Sequence, residues 1–488
     1  MINVLTADEV RAAEQKIIAG GVDETFLRFN ASLCIADGIA TRAAGGARTA
    51  VFCGGGGNGM DGVLAATRLH RQGRSVTIYL VGGKTKDRLG KLLDYAENAG
   101  VPIYDADDYD YKADIIVDAI FGIGLSRNVD DKTTQLLRKL NAQAHALRLA
   151  VDIPTGLNAD SGEIMGEAFR ADYTISFSCY KRGMLFGAGR DVCGRVIIED
   201  VGVKTQSQIR VYEHDDFKPV VRAKTAHKGK FGRIYVIGGC GTMVGAPILS
   251  AAAAHEAYMN GAGTVTLCAP SIHRTALSSR VTMAMMKFMP DTVEGYIKFD
   301  KPVLDEIISR ADVVNIGMGM GATPDLRKIL EYLCENFGGT LVIDADGLNA
   351  IKQNYDFLKT AKPKIIITPH VGEFERFTSR SATVENAKLL AAEYKLIVVL
   401  KSATTIITDG IEVRINATGT PAMAKGGMGD LLGGSIAALA CSFSPLDAAT
   451  AACYRQGIGA ERAVTAFSEL MLTPREVLNM ADYSELYD

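Results

Sequence analysis

Short apolar runs rich in β-branched residues, each ending in glycine or a polar residue, recur along the first half of the chain. They read TAVFCGG, SVTIYLVGG, DIIVDAIFG, RLAVDIPTG and DYTISFS. Amphipathic stretches of about helix length separate them, which is the pattern of a parallel sheet covered by helices on both faces. This pattern constrains the fold more than any other feature of the sequence, because runs that are apolar throughout must be buried on both sides.

The same pattern starts again in the second half, with the runs RIYVIGG, GTVTLCAP, DVVNIGMG, GTLVIDADG, PKIIITPH and LIVVLKS. TTIITDG and EVRINATG then predict an antiparallel pair of strands. A charged segment without a long apolar face lies between the halves. The chain has 488 residues, too many for one core of ordinary size. We therefore predict two α/β domains, residues 1–215 and residues 216–488.

Charge and cysteine usage narrow the possible partners. The formal net charge is -3 and no block of Lys or Arg occurs, which excludes the electrostatic footprint of a protein that binds nucleic acid or an anionic membrane. The nine cysteines form no CxxC pair, which argues against structural zinc and a disulfide framework. No export signal is visible, and the longest apolar stretch is shorter than the roughly 20 residues that span a bilayer. We expect a soluble cytoplasmic protein with small-molecule partners.

Polar residues follow several predicted strands at the point where each strand ends. Ligands of open parallel sheets bind outside the carboxyl ends of the strands, so these residues mark one candidate cleft in each half. Each half also has a glycine-rich turn that enters a helix, CGGGGNGMDG or AKGGMGDLLGG, and such turns are common anion sites. The strand-end residues are Asn58, Asp61, Asp118 and Asp152 in the first half and Asp344, Asp346, His370 and Lys401 in the second.

Residues of the first half suit a cation and proton transfer. Asn58, Asp118 and Thr155 supply hard oxygens with few charges, so a monovalent ion is as plausible as Mg²⁺. Lys181 and Asp152 suit an acid and base couple. The alternative is that these acids only cap helices and satisfy turn N–H groups, but their convergence on one edge favours a site. No acid ends the next predicted strand, so the turn is not a dinucleotide fingerprint and a plain Rossmann dehydrogenase is disfavoured.

On these motifs the first half resembles the NAD(P)H-hydrate epimerase family, whose turn reads NNGGDG and whose VD(I/L)PSG and KxG segments correspond to VDIPTG and KRG. The resemblance implies a Rossmann-like three-layer αβα sandwich, a potassium ion at Asn58, Asp118 and Thr155, and proton chemistry by Asp152 assisted by Lys181. The residues implied to bind the hydrated nicotinamide nucleotide are Gly57, Asn58, Gly59, Met60, Asp61, Gly122, Ile123, Gly124, Leu125, Ser126, Arg127, Asn128 and Asp152.

Residues of the second half suit a nucleotide. Lys401 stands at a strand end before small and hydroxyl residues, as a phosphate site requires. His370 follows another strand, although a single histidine is more often structural. The glycines of AKGGMGDLLGG can bring N–H groups close to a phosphoryl group, with Asp430 at a helix start. An acid there can take the proton of a hydroxyl that attacks a γ-phosphate.

In its order of motifs, from KGKFGRIYVIGG through ITPHVGEF to AKGGMGDLLGG, the second half resembles the ribokinase-like superfamily and, within it, the ADP/ATP-dependent NAD(P)H-hydrate dehydratases. The resemblance implies a ribokinase-like αβα domain in which Asp430 is the base. The residues implied to contact the hydrated nucleotide are Ala246, Gly319, His370 and Asp430. Those implied to contact the adenine nucleotide are Lys401, Ser402, Ala403, Thr404, Thr405 and Gly429.

Four residues depart from the family patterns: Gly57, Met60, Ser402 and Met428. At Met428 the families usually have a hydroxyl residue. One hypothesis is that Met428 leaves the phosphate cradle short of a donor, which Met428→Ser would restore. The other is that the thioether packs against the sheet as core.

Together the resemblances imply a bifunctional repair enzyme for hydrated NADH and NADPH. The first half would interconvert the R and S hydrates with K⁺, and the second would dehydrate the S hydrate with Mg²⁺ and ADP or ATP. One alternative is a small-alcohol kinase with a regulatory first half, and another is a first half kept only as a scaffold. We also expect a homo-oligomer.

Overall fold

The computed structural model describes residues 1–83, 88–217, 224–243, 245–246, 249, 261–352 and 354–481. The chain divides into two compact units, Ile2–Ser207 and Gln208–Asp488, with Met1 belonging to the second. Strands are numbered along the chain and helices are identified by their residue ranges. The division of two activities near residue 215 stays a prediction.

The first unit is built on a parallel sheet of seven strands in the order β4-β3-β2-β5-β6-β7-β9. A separate parallel pair joins β1 and β8, with Leu5 opposite Lys181. The strands are β1 Ile2–Leu5, β2 Thr49–Cys53, β3 Val76–Leu80, β4 Ile103–Asp105, β5 Ile115–Ala119, β6 Leu147–Val151, β7 Tyr173–Phe177, β8 Tyr180–Lys181 and β9 Arg195–Glu199. The helices are Ala7–Ala19, Glu24–Ala40, Gly57–Arg71, Arg88–Asn98, Asp131–Asn141, Arg182–Leu185 and Gly189–Val192.

Both faces of this sheet are buried because its central strands are apolar throughout. On one face Val51 and Val117 pack in a cluster that includes Ile35 and Leu69 from two helices. On the other face Phe52 and Ile116 lie in a second cluster with Leu137. The three-layer αβα arrangement predicted for this half is confirmed.

The second unit has a ten-strand order of β13-β12-β11-β14-β15-β16-β17-β18-β19-β10. All neighbouring pairs are parallel except β17 with β18 and β18 with β19, which are antiparallel. The strands are β10 Ile209–Val211, β11 Arg233–Ile237, β12 Thr264–Pro270, β13 Met285–Met289, β14 Val313–Ile316, β15 Thr340–Ile343, β16 Lys364–Ile367, β17 Ile397–Leu400, β18 Thr405–Thr408 and β19 Val413–Asn416. The helices are Arg274–Ser278, Lys301–Arg310, Pro324–Asn336, Asp346–Ile351, Val371–Thr378, Val384–Tyr394, Met428–Leu439, Pro445–Phe467 and Pro474–Met480.

Alternate residues of the central strands face opposite layers. Val342 and Ile366 pack in a cluster with Ile436 and Ala448 from the helices that follow the sheet, and their neighbour Leu341 is also buried. This unit is therefore a second αβα domain, as predicted, with the predicted antiparallel pair at β18 and β19. In the part of the chain that the structure describes, no helix combines the length and apolar character needed to cross a membrane.

Candidate active sites

The first candidate site lies where the order of strands in the first sheet reverses. β2 is a neighbour of both β3 and β5, and the chain visits β3 and β4 before it returns to β5. The loops after β2 and β5 therefore leave the sheet in opposite directions and open a crevice between them, the usual ligand position in such sheets. The glycine-rich turn after β2 and the loop Gly122–Asn128 after β5 both lie at this edge.

Glycines let the two loops approach closely. A Cβ on Gly59 would lie 1.8 Å from the Gly54 carbonyl oxygen, and a Cβ on Gly54 would lie 2.1 Å from the Ile120 carbonyl oxygen. No side chain fits at either position. The turn thus leads directly into the helix Gly57–Arg71, whose first N–H groups face the edge of the sheet.

Asp118, Thr155 and Asn58 form a network beneath this turn. Asp118 is fully buried, and its carboxylate accepts from the Thr155 N–H and the Thr155 hydroxyl, both at 2.7 Å. The Asn58 amide lies 3.1 Å from the Phe121 carbonyl oxygen and 3.2 Å from the Val151 carbonyl oxygen. Burial raises the pKa of Asp118 to about 6, although hydrogen bonds from Thr155 oppose this. The three predicted cation ligands are therefore brought together.

Asp152 and Lys181 form an ion pair at the end of β6. Lys181 is 1% exposed, and its ammonium also donates to Ser176 Oγ at 2.8 Å and to the Phe177 carbonyl at 3.2 Å. Asp152 has a φ of 65°, a conformation that an ordinary residue holds only when its surroundings fix it. Asp152 and Lys181 are thus brought together as an oriented ion pair, and their role as an acid and base couple stays a prediction.

A cavity of about 910 Å³ opens above these residues. Among the predicted substrate residues, those that line it are Gly57, Asn58, Asp61, Gly122, Ile123, Gly124, Leu125, Ser126, Arg127, Asn128 and Asp152. Gly59 and Met60 lie outside the lining, since Gly59 packs on the Gly54 carbonyl and Met60 packs against the core of the unit. These two residues therefore support the turn on the side away from the cavity.

Two residues that the sequence analysis missed, Glu14 and Arg28, also line the cavity. Arg28 donates to the Gly57 carbonyl at 3.1 Å and to Asp61 Oδ1 at 3.2 Å. A Cβ on Gly57 would lie 3.2 Å from the Arg28 guanidinium, so glycine makes room for this contact. Burial raises the pKa of Asp61 to about 7, against the opposing effect of Arg28. A sequence signal existed for Glu14, an acid at helical spacing among the apolar residues Val10 and Ile17.

The second candidate site lies at the carboxyl ends of β15 and β17 in the second sheet, where Asp344 and Lys401 directly follow the strands. Lys401 Nζ donates to Asp344 Oδ1 at 2.9 Å, and Asp344 is 2% exposed. A Cβ on Gly429 would lie 3.3 Å from Lys401 Nζ and 3.7 Å from Asp344 Oδ2. The glycine-rich turn therefore rests directly on the ion pair of the strand ends.

Asp430 stands in the first turn of the helix Met428–Leu439, one residue beyond Gly429. Burial and the negative charge of Asp344 raise its pKa to about 7, while Lys401 opposes the shift. Burial alone would lower the pKa of Lys401, but Asp344 and Glu373 outweigh burial and raise it. Lys401 thus stays a cation beside a carboxyl group that titrates near neutral pH.

The other predicted residues of this site fall into three places. His370 caps the helix Val371–Thr378, where it shares a capping box with Glu373, and its side chain is 53% exposed. Gly319, with a φ of 64°, brings its Cα close to Ala246, since an added Cβ would lie 2.7 Å from that residue's Cβ. After Lys401 the chain turns through Ser402, Ala403 and Thr404 into β18 at Thr405; the Ser402 hydroxyl donates to the Thr404 carbonyl at 2.6 Å.

Met428 belongs to the core. It is 7% exposed and packs in an apolar cluster with Leu431, Leu472 and Val477. Its backbone carbonyl accepts from Gln456 Nε2 at 2.9 Å. Met428 is therefore a core residue, as the packing alternative held, although its cluster is built from helices and loops and not from the sheet. Whether the phosphate cradle is short of a donor stays a hypothesis.

The two αβα units, each with a carboxylate and a lysine at the carboxyl ends of its own strands, define a two-site α/β enzyme. A family model described as NAD(P)H-hydrate dehydratase matches residues 234–480, and one described as YjeF-related protein N-terminus matches residues 25–183. The chain belongs to the family of bifunctional NAD(P)H-hydrate repair enzymes, which confirms the family predicted from its motifs and favours repair over the small-alcohol kinase alternative.

Two curated relatives carry that family's name. The bifunctional NAD(P)H-hydrate repair enzyme Nnr of Hyperthermus butylicus is 32% identical over 90% of this chain and 84% of that protein. The enzyme of the same name from Archaeoglobus fulgidus is 32% identical over 90% of each chain. Among solved structures, the ADP/ATP-dependent NAD(P)H-hydrate dehydratase of Bacillus subtilis, co-crystallized with ATP/Mg²⁺, is 25% identical and has a TM-score of 0.47, covering 55% of this chain and 92% of that one.

Proposed function

We propose that the first unit interconverts the R and S hydrates of NADH and NADPH and that the second unit returns the S hydrate to the intact cofactor with ADP or ATP. The observation that carries the proposal is that each unit has its own site of carboxylate and lysine at the edge of its own sheet, Asp152 with Lys181 and Asp344 with Lys401 beside Asp430. Hydration gives both epimers, so an enzyme that dehydrates only one of them needs an epimerase.

In the first unit the cavity would hold the hydrated ring against Asp152. The ammonium of Lys181 is held against the Asp152 carboxylate, which would accept the proton as the general base. The loop Gly122–Asn128 lies along the cavity with the start of the helix Gly57–Arg71. The backbone N–H groups at the start of this helix, together with Arg127, suit the phosphates of the dinucleotide.

Potassium fits the residues beneath this cavity. The buried Asp118 carboxylate accepts only from neutral donors, the Thr155 hydroxyl and the N–H groups of Thr155 and Ile120, and no ion pair balances it among the residues that the structure describes. Asn58, Asp118 and Thr155 would hold the ion, with the Asn58 amide turned to present its oxygen. The ion would supply a fixed positive charge under the turn.

In the second unit Asp430 would take the proton of the ring hydroxyl as that oxygen attacks the terminal phosphate of the nucleotide. Lys401, the segment Ser402–Thr405 and Gly429 would bind the phosphates. Mg²⁺ is commonly held by one or two carboxylates together with substrate phosphates, and Asp344 is suitably placed. Loss of phosphate and of a ring proton would then restore NADH or NADPH.

The test uses the purified protein with a mixture of R and S NADH hydrates and either ADP or ATP. The proposal predicts that reduced-nicotinamide absorbance returns for the whole mixture and that no absorbance returns without nucleotide. Recovery that does not depend on nucleotide, or no recovery at all, would contradict the dehydratase assignment.

The nine cysteines are free thiols, which supports a reducing compartment such as the cytoplasm. The homo-oligomeric state stays a prediction.

A further inference from the structure

Glu14 lines the epimerisation cavity but has no partner that explains its position. It lies on the helix Ala7–Ala19, partly buried, on the face where Val10 and Ile17 pack against the core. It lines the same cavity as Asp152 and Lys181. Its carboxyl group forms no hydrogen bond or ion pair with the residues that the structure describes. A carboxyl group that lines a cavity without a protein partner is available to a bound ligand.

Burial and the charged groups around Glu14 shift its pKa. Burial raises the pKa of Glu14 and the negative charge of Asp152 adds to this, while Lys181 and Arg28 oppose the shift and Glu24 reinforces it. Asp152 itself forms an ion pair with Lys181. Burial also raises the pKa of Asp61, which lines the same cavity, but Asp61 is paired with Arg28. Glu14 is therefore the cavity carboxyl group with a raised pKa that has no partner among the described residues, and such a group beside an ion-paired carboxylate is the arrangement of an acid and a base.

We propose that Glu14 is the catalytic acid of the epimerisation, acting opposite Asp152 as the base. This inference rests on the proposed epimerase function of the first unit. Water adds to an enamine so that the hydroxyl group ends on the carbon bonded to nitrogen, and the two hydrates differ in configuration at that carbon. To invert it, the carbon must become planar and be attacked again from its other face.

The proton transfers by Asp152 and Glu14 balance if the hydrated nicotinamide ring opens and closes again. Asp152 takes the hydroxyl proton, the carbon–oxygen double bond forms, and the bond from carbon to the ring nitrogen breaks. The electron pair of that bond goes to nitrogen, which takes a proton from Glu14. After rotation of the aldehyde, nitrogen attacks the other face and returns its proton to Glu14, while the oxygen recovers its proton from Asp152. Both residues end as they began, and no oxidant or reductant is needed.

The first test is Glu14→Gln, which keeps the size of the side chain but cannot exchange a proton. We expect kcat for interconversion of the R and S hydrates to fall about 100-fold or more, the usual contribution of a general acid, with KM changed little. Glu14→Asp should retain more activity than Glu14→Gln, because it still carries a proton. Epimerisation by Glu14→Gln within about threefold of wild type would overturn the inference.

The second test is the pH profile of kcat/KM for epimerisation. Glu14 must be protonated, so the wild-type rate should fall on the alkaline side as this group ionises. Glu14→Gln should lose that alkaline limb, while the acidic side of the profile should be unchanged. An unchanged alkaline limb in Glu14→Gln would mean that another group supplies the proton, and would overturn the inference even if the rate falls.

Glu9→Gln is the matched control. Glu9 lies on the same helix but is exposed, and it forms the capping box with Thr6. Glutamine can also serve in a capping box, so the epimerisation rate of Glu9→Gln should match that of the wild type. Equal losses in Glu9→Gln and Glu14→Gln would reveal an effect on the helix and overturn the inference. If the wild-type protein does not epimerise the hydrates, the proposed function itself fails. If both the wild type and Glu14→Gln epimerise them at similar rates, only the role of Glu14 fails.

Discussion

At the scale of single residues, Asp430 shows how burial prepares a carboxyl group for chemistry. Removal from water and the nearby charge of Asp344 raise its pKa to about 7, so that it can both accept and release a proton near neutral pH. Lys401 remains charged beside it. The fold thus places a carboxyl group with a raised pKa and a lysine side by side at one helix start.

We predict that Asp430→Asn lowers the turnover for dehydration of the S hydrate by about 100-fold or more, because an amide cannot accept the hydroxyl proton. Since the base acts in its ionised form, the wild-type rate should rise with pH through about 7 and level off above it. The measurement is the pH dependence of kcat with saturating nucleotide. Glu385→Gln, which changes an exposed acid in the first turn of another helix, should leave it unaltered, and a few-fold loss in Asp430→Asn would reject the assignment.

Met428 gives a second prediction at this scale. Because its side chain fills an apolar cluster with Leu472 and Val477, Met428→Ser should lower the free energy of unfolding by about 2 kcal/mol or more and leave nucleotide affinity unchanged. Met428→Leu, which conserves volume, should cost less than about 1.5 kcal/mol. Thermal unfolding and calorimetric titration with ADP and ATP test both statements. Tighter nucleotide binding with unchanged stability would show that position 428 belongs to the cradle after all.

At the scale of elements, apolar runs predicted the strands that build both sites. β2, β5, β6 and β7 in the first unit, and β11, β14, β15, β16 and β17 in the second, all follow the runs in the sequence. Six strands were missed, β1, β4, β8, β9, β10 and β13. Three of them are very short, since β8 has two residues and β4 and β10 have three. So few residues show no periodicity, and such strands depend on their neighbours for stability.

Residues of the sites were predicted where they follow a strand, because the carboxyl edge of a parallel sheet gathers such residues whatever the loops do. Glu14 and Arg28 reach the cavity from helices, so the rule for strand ends could not find them. Sequence alone also left the role of Met428 open. A methionine at the start of a helix can belong either to a ligand-binding turn or to a core. Only its packing against Leu431 and neighbouring residues shows that Met428 is buried in the core.

The turn after β2 is an element whose shape depends on close backbone contact. We predict that Gly59→Ala destabilises the first unit, since its Cβ would lie 1.8 Å from the Gly54 carbonyl oxygen and the helix Gly57–Arg71 would have to move. Epimerisation should fall with it. Gly55→Ala, where an added Cβ has no atom within 4 Å, should keep the melting temperature of the wild type. Equal melting temperatures for the two variants would show that the turn tolerates a side chain at position 59.

At the scale of the whole molecule, the account claims that two separate sites serve one damaged cofactor. Each unit has its own sheet, with its own reversal of strand order and its own pair of carboxylate and lysine. The matched regions 25–183 and 234–480 fall one in each unit. The two activities should therefore be separable by substitution.

The most direct measurement is the recovery of reduced-nicotinamide absorbance by Asp152→Asn, given mixed R and S NADH hydrates with saturating nucleotide. Asparagine keeps a partner for the buried Lys181 but is not a base. The wild-type protein should return the whole mixture to NADH. Asp152→Asn should return the S fraction at the wild-type rate and then stop, leaving the R hydrate to its slow spontaneous epimerisation. A folded variant that loses dehydration of the S hydrate as well, or that still consumes the R hydrate at the wild-type rate, would contradict the division of labour between the two units.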